Sequence, residues 1–286
     1  MLTTSKAIMA AHTISQSPPR ITAAEADVLL HRQMKKHDVA IMLLHWFNAT
    51  VWGLELMTGA ALVTSTSLRV APPSYARIVQ GFFHSQANML QFHIAVGITW
   101  VLVFAVYGTF GFRTYLRKQV LQREVSLDGD DIQWLRIRLL RMLKRTSEPL
   151  PPQGIYNAGQ KLFAIAVYAM APVIMITGII MTFHLVGTAV VGWAAVVHFA
   201  AVGAVLSGLI IHVYMAAVFP EEKPAFFSMI TGSVNELYAY RHHFKWWNEV
   251  CGNRGKAASE NGPGPEVSPV SAPKPLENCA RREAEE

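Results

Sequence analysis

Five histidines of this sequence fall within long apolar stretches, where an ionisable side chain is costly and by default marks a functional site. They are His45, His93, His184, His198 and His212. Imidazole is a common metal ligand, and it also carries protons near neutral pH. For any single histidine a hydrogen-bonded packing role is the alternative, and only their mutual placement separates the two.

The last apolar stretch carries two of these histidines, His198 and His212, which lie 14 residues apart. At about 100° and 1.5 Å per residue, a helix brings both to nearly the same face, about 21 Å apart along its axis. One helix would therefore point two imidazoles toward its neighbours, one near each side of a membrane.

Four apolar stretches carry the histidines, and each is near the roughly 20 residues needed to cross a bilayer. They cover residues 39–64, 89–112, 162–186 and 193–219. Hydrophobic residues make up 52% of the 286-residue chain and charged residues only 15%, against about 25% charged in soluble domains. The sequence therefore predicts an all-α integral membrane protein, a four-helix bundle surrounded by membrane lipid.

Basic residues are distributed unevenly among the connections. The formal charge of +6 follows the ends of the apolar stretches and forms no compact patch, so no nucleic-acid partner is expected. The second connection is rich in Arg and Lys, the first has only Arg69 and Arg77, and the third has none. Because basic loops stay in the cytoplasm, both termini and the middle loop are predicted to be cytoplasmic.

This topology sorts the histidines by depth. The first stretch runs outward and places His45 near the cytoplasmic face, whereas the second runs inward and places His93 near the outer face. The fourth stretch also runs inward, so His198 lies outside and His212 inside. The pairs His45/His212 and His93/His198 are therefore predicted at matching depths, and His184 is left as an interfacial histidine.

Two trans-bundle pairs of imidazoles are what two b-type haems with bis-histidine ligation require. Such a haem keeps no open position for oxygen, which favours electron transfer. Zinc or copper sites are less favoured, since their ligands would cluster at one depth. A transporter that uses intramembrane histidines as proton relays stays open as a different class, although the inverted repeat typical of such folds is not visible.

A polar run, Tyr156-Asn-Ala-Gly-Gln-Lys161, precedes the third stretch at its cytoplasmic end. The amide side chains of Asn157 and Gln160, with the exposed backbone at Gly159, could hydrogen-bond a quinone carbonyl. The alternative is a helix start with Asn157 as N-cap, and the chemistry alone favours that alternative.

The remaining sequence suggests a simple domain organisation. Residues 1–33 are predicted as a flexible extension, 34–250 as the membrane domain, and 251–286 as a disordered tail rich in Gly, Pro, Ser and Glu. Residues 132–143 form an amphipathic pattern, typical of a helix on the membrane surface or packed on a soluble partner. Glu55 in the first stretch has two open interpretations. It could carry protons, or it could bind the residue that pairs with a haem propionate.

Several motifs follow one another along the chain: Leu44-His45-Trp46, His93-x-x-x-Gly97, the run from Tyr156 to Lys161, Thr177-Gly178, His198, Ile211-His-Val-Tyr-Met215 and His242-His243-x-x-Trp246. Their order resembles that in the cytochrome b (gamma) subunit of membrane-bound respiratory formate dehydrogenases, over roughly residues 36–250. The Asn-Ala-Gly-Gln-Lys run is the most specific motif. The related cytochromes b of nickel–iron hydrogenases match this run less well and give the nearest alternative.

The resemblance implies a membrane-anchoring subunit of the bacterial inner membrane that holds two haem b groups. It would take electrons from an iron–sulfur beta subunit, fed by a molybdenum or tungsten alpha subunit, and pass them to quinone; formate oxidation itself would lie in the partner. The implied ligands are His93 and His198 for the outer haem and His45 and His212 for the inner one. The implied quinone site beside the inner haem consists of Asn157, Gly159 and Gln160.

Overall fold

The computed structural model describes residues 18–184 and 186–251 of the chain. The predicted tail from residue 252 onward and the first seventeen residues of the predicted extension lie outside the described residues. The described residues are 76% helical, and the two strands among them are three residues long each. This confirms the all-α fold class.

The α-helices with defined bounds, numbered in chain order, are α1 Ala23–His31, α2 Val39–Leu62, α3 Pro73–Phe82, α4 Gln86–Phe110, α5 Gly129–Met142, α6 Ala158–Phe183, α7 Thr188–Ala217, α8 Lys223–Thr231 and α9 Glu236–His242. Residues 244–251 are also helical. A π-helical segment, Phe112–Glu124, follows α4, and a 3₁₀ turn, Pro220–Glu222, precedes α8. The strands are β1 Gln33–Lys35 and β2 Ser233–Asn235. Four helices, α2, α4, α6 and α7, are long and apolar enough to cross a membrane, which confirms the four predicted spans.

One compact unit comprises His37–Val125 and Leu162–Gly232 and contains the helices long enough to span a membrane. Val51, Trp100 and Ala171, from α2, α4 and α6, form a buried cluster. The Trp100 indole N–H donates to the Asn48 side-chain oxygen across 2.8 Å, which satisfies both polar groups inside an apolar bundle. A second cluster, Ala61, Val79 and Met89, joins α2, α3 and α4.

The amino-terminal end of α2 is held by α8 within the same unit. The Trp46 indole N–H donates to the backbone oxygen of Met229 across 2.7 Å, and its ring meets Phe226 edge-on. After α8 the chain turns at Gly232, whose φ of 79° favours glycine. A Cβ at this glycine would lie 3.0 Å from the His37 carbonyl oxygen, so the close approach of the two backbones also favours a residue without a side chain.

The described residues of the second unit are 18–36, 126–161 and 233–251. Its strands β1 and β2 pair antiparallel, with Met34 opposite Val234. The buried carboxylate of Glu236 accepts from the Trp247 indole and pairs with Arg32 at 3.5 Å. Asp128 caps α5 in a capping box, so this helix starts three residues before the segment predicted to be amphipathic, residues 132–143. Whether α5 lies on a membrane or on a soluble partner stays a prediction.

Candidate functional site

His45 of α2 and His212 of α7 face one another across the bundle. Their ring centroids are 6.3 Å apart, and the ring planes are tilted by 60°. Two metal–nitrogen bonds of about 2 Å each, with the half-widths of the two rings, separate the centroids of two axial imidazoles by roughly 6 Å. The distance between these two histidines therefore fits a porphyrin iron between them.

The imidazole of His212 is positioned by ring packing. Phe163 of α6 stacks on it with centroids 5.0 Å apart and planes 21° apart. Gly208, one turn before His212, makes room for this ring, since a Cβ there would lie 2.7 Å from Cδ2 of Phe163. Among the described residues, no hydrogen bond reaches the ring nitrogens of His45 or His212.

His93 of α4 is positioned by hydrogen bonds instead. Its Nδ1 lies 2.8 Å from Oγ1 of Thr58 and 2.6 Å from Oε2 of Glu55. The single hydroxyl proton of Thr58 is donated to the backbone oxygen of Leu54, 2.8 Å away, so the hydroxyl accepts from His93. The Nδ1 atom therefore carries the proton, and Nε2 keeps the lone pair that an axial ligand needs.

His198 of α7 has the same arrangement with α6. Its Nδ1 lies 3.0 Å from Oγ1 of Thr177, whose own proton is donated to the Val173 backbone oxygen at 2.6 Å. His198 thus also presents Nε2 for coordination.

A Thr-Gly dipeptide supports each of these two histidines. Thr58 and Thr177 are both buried. The glycines that follow them leave room for the imidazoles, since a Cβ at Gly59 would lie 3.4 Å from Cε1 of His93 and one at Gly178 would lie 3.6 Å from Cε1 of His198. Sequence reasoning used the second dipeptide only as a family motif and missed the first. The signal that would have found it is the repetition of Thr-Gly on the two helices that precede the histidine-bearing helices.

Asn157 and Gln160 cap the start of α6 reciprocally. The Gln160 backbone N–H donates to Oδ1 of Asn157 at 2.9 Å, and the Asn157 backbone N–H donates to Oε1 of Gln160 at 3.0 Å. The helix-start interpretation is therefore what these hydrogen bonds show. In the described part of the chain, no hydrogen bond uses the side-chain NH₂ groups of these two residues.

The third residue of the predicted quinone site, Gly159, packs on α5. A Cβ there would lie 3.7 Å from the Trp134 ring and 3.3 Å from Oδ1 of Asn157. The following residue, Lys161, is buried and pairs with Asp131 at 2.7 Å. His184, predicted as interfacial, is exposed just after α6, at a φ of 48°.

Four helices of bilayer length, with the facing histidines His45 and His212, are typical of a multi-pass membrane protein. The chain belongs to the prokaryotic cytochrome b561 family, whose model matches residues 36–232. Membership in a b-type cytochrome family implies haem b as the prosthetic group.

Similar proteins are cytochrome b556 subunits of formate dehydrogenases. The nitrate-inducible cytochrome b556(Fdn) subunit of Escherichia coli K12 is 31% identical over 139 residues, which cover 47% of this chain and 62% of the relative. The Haemophilus influenzae cytochrome b556 subunit is 27% identical over 126 residues, or 43% and 51% of the two chains. The E. coli K12 cytochrome b556(fdo) subunit is 25% identical over 228 residues, or 76% and 96%.

The match to the first of these relatives spans less than two thirds of that protein's length. The match to the fdo subunit spans nearly all of it. The resemblance to formate dehydrogenase cytochrome b subunits that the motifs predict is confirmed.

Proposed function

We propose that this chain is the di-haem cytochrome b subunit of a membrane-bound formate dehydrogenase. In the bacterial inner membrane it conducts electrons from an iron–sulfur partner subunit to quinone. The observation that carries the proposal is the facing pair His45 and His212, whose ring separation of 6.3 Å suits bis-imidazole ligation. The names of the similar proteins supply the formate dehydrogenase assignment.

The proposed ligands of the outer haem are His93 and His198, and those of the inner haem are His45 and His212. Haem, when bound, supplies a one-electron iron couple inside the apolar bundle. The chain's own residues bind and orient it: two threonines hold the outer imidazoles through Nδ1, and Phe163 holds His212 through its ring. Bis-histidine ligation leaves no position for oxygen, which restricts the site to electron transfer.

The two ligand levels are separated along α7 by the 14 residues between His198 and His212, or about 21 Å of helix. This distance covers much of the roughly 30 Å hydrocarbon core. With both termini cytoplasmic, as the basic loops predict, electrons that enter at the outer level and leave at the inner level cross the membrane. Formate oxidation outside and proton uptake by quinone inside would make the passage charge-separating.

The proposed quinone contacts come from Asn157, Gly159 and Gln160. A quinone carbonyl accepts hydrogen bonds, and the NH₂ groups of Asn157 and Gln160 are donors that capping does not use. The oxygens of the same two side chains are already bound to the helix start. Capping and quinone binding are therefore compatible, since they use opposite ends of each amide.

The test is a reduced-minus-oxidised difference spectrum with a haem-to-protein ratio on the purified chain. Two b-type haems per chain are expected, and one or none would overturn the di-haem assignment. In membranes, formate should reduce both haems, and an iron–sulfur subunit should co-purify. Reduction by hydrogen in place of formate would assign the chain to a hydrogenase complex, and absence of haem absorption would favour the transporter hypothesis.

A further inference from the structure

We infer that Glu55 is a positioning residue that lowers the reduction potential of the outer haem through its hydrogen bond with His93. The inference rests on the proposed function, because it requires His93 to ligate the outer haem iron. It assigns a purpose to an acidic side chain that lies inside a membrane-spanning helix.

The contact between Glu55 and His93 is short and shielded from solvent. Oε2 of Glu55 lies 2.6 Å from Nδ1 of His93, and the two side chains are 19% and 22% exposed. A carboxylate in an apolar helix is expensive unless it is paired. Within the described residues, the Glu55 carboxylate pairs with the imidazole of His93. The contact therefore fixes the position of Glu55 relative to the proposed haem ligand.

A contribution to stability does not explain the position of the other carboxylate oxygen of Glu55. Oε1 is buried without a hydrogen-bond partner among the described residues, and a Cβ at Gly97 would lie 3.6 Å from it. An unsatisfied buried acceptor destabilises a fold. Retaining an acid here therefore indicates a role in the chemistry of the site.

The two proposed ligands of the outer haem are supported unequally. Nδ1 of His93 has two acceptors, the Thr58 hydroxyl and the Glu55 carboxylate. Nδ1 of His198 has a single neutral acceptor, the Thr177 hydroxyl, at the longer distance of 3.0 Å. Acceptors on the far nitrogen of a metal-bound imidazole raise its basicity as a ligand.

A more basic imidazole, with a carboxylate behind it, stabilises ferric iron relative to ferrous iron. Glu55 would therefore shift the midpoint potential of a haem bound by His93 and His198 to a lower value. Glu55 lies ten residues from His45 along α2, or about 15 Å, so the inner couple is affected much less. The result is a downhill step from the outer level to the inner level, in the direction of the proposed electron flow.

The test is a potentiometric titration of both haems in the assembled complex, with wild type, Glu55→Gln and Thr177→Ala compared. Gln keeps the size and an acceptor oxygen but removes the charge. We expect Glu55→Gln to retain two haems and to raise the outer midpoint by about 59 mV, which is a tenfold change in the one-electron equilibrium. The inner midpoint should not move, and Thr177→Ala, which removes a neutral acceptor, should shift the outer midpoint less.

Two haems with unchanged midpoints in Glu55→Gln would overturn the inference and leave the proposed function intact. A wild-type chain without two haems would overturn the proposed function itself. If Glu55→Gln does not retain the outer haem, Glu55→Asp is titrated instead, since it keeps the charge but shortens the reach to His93. A raised outer midpoint in that variant supports the inference, and an unchanged one overturns it.

Discussion

The hydroxyl of Thr177 accepts a hydrogen bond from Nδ1 of His198 across 3.0 Å and donates its own proton to the preceding turn of α6. Thr58 and His93 repeat the arrangement between α2 and α4 at 2.8 Å. Both contacts settle the tautomer of an imidazole before any metal binds. The histidines therefore differ in how they are held: hydrogen bonds hold His93 and His198, whereas ring stacking by Phe163 holds His212.

Replacing a proposed axial ligand should remove one haem and leave the second. His198→Ala is expected to lose the outer haem and His212→Ala the inner one, because a methyl group cannot coordinate iron. The haem-to-protein ratio should fall from two to one in each variant. His184→Ala is the matched control and should keep two haems. A His198→Ala or His212→Ala protein with two haems and an unchanged spectrum would disprove that ligand assignment.

Removing either supporting hydroxyl should weaken haem binding without removing the ligand. Thr58→Ala leaves His93 in place with Glu55 as the remaining acceptor on Nδ1. Thr177→Ala leaves His198 in place but frees its ring to rotate and change tautomer. Loss of such a supporting contact typically lowers metal affinity by 10–100-fold. The outer haem should therefore dissociate more readily in a competition assay with a haem acceptor protein. Thr99→Ala, which removes a hydroxyl bonded only to its own helix, should retain haem as wild type does.

The membrane-spanning helices were predictable because few backbone structures can cross a bilayer. Each apolar stretch had to become a helix of at least bilayer length, and the observed helices begin and end within a few residues of those stretches, apart from α7, which starts at Thr188. The carboxylate contact of Glu55 was not predictable, since the rotation of α2 relative to α4 decides which side chain meets His93. The helix α1 was missed although its start carries a local signal, because Thr22 and Glu25 form a capping box whose Thr-x-x-Glu pattern is visible in the sequence.

The absence of a side chain at Gly208, next to the Phe163 ring that stacks on His212, gives a packing prediction. Gly208→Ala would place a Cβ 2.7 Å from Cδ2 of Phe163, so the ring must leave its stacked position on His212. Overpacking of this kind costs about 1–3 kcal/mol. Reduced inner-haem occupancy and a lower melting temperature are expected, both read from absorbance during thermal denaturation. Gly203→Ala, whose Cβ would meet nothing within 4 Å, should behave as wild type; a normal melting curve for Gly208→Ala would refute the packing role.

Capping and quinone binding at the start of α6 can be separated by substitution. Asn157→Asp keeps the oxygen that caps α6 but removes the NH₂ donor proposed for quinone. Quinone reduction by the complex should therefore fall while stability and haem reduction by formate are preserved. Asn157→Ala removes both the capping oxygen and the NH₂ donor, and it should also lower the free energy of unfolding by about 1 kcal/mol. Quinone turnover of Asn157→Asp at the wild-type rate would assign Asn157 to capping alone.

The ion pairs around Lys245 predict how the unit that contains them responds to pH. Its ammonium lies 2.7 Å from Asp128 and 2.6 Å from Asp130. Burial alone would raise the pKa of Asp128, but hydrogen bonds from Lys245 and the Asp131 backbone N–H, with the nearby positive charge, bring it below its ordinary value. Burial alone would lower the pKa of Lys245, and its two carboxylate partners raise it.

The signs of these shifts define the pH window. A lowered Asp pKa stabilises the fold above about pH 4, and that contribution is lost as the pH falls through the folded-state value. A raised Lys pKa stabilises below about pH 10.4, and that contribution is lost as the pH rises through its folded-state value. The contribution of the pair should therefore be constant across neutral pH and fall at both extremes.

Lys245→Met should abolish this pattern. Without the ammonium, the pKa of Asp128 rises toward its ordinary value, and acid below pH 4 should destabilise the variant less than wild type. Hydrogen exchange of the α5 amides against pH is the measurement, since Asp128 caps that helix. Lys144→Met, at an exposed lysine for which the described residues show no ion pair, should keep the wild-type profile. If Lys245→Met gives the same acid limb as wild type, Asp128 and Lys245 are not coupled in solution, and the capping box alone must account for the start of α5.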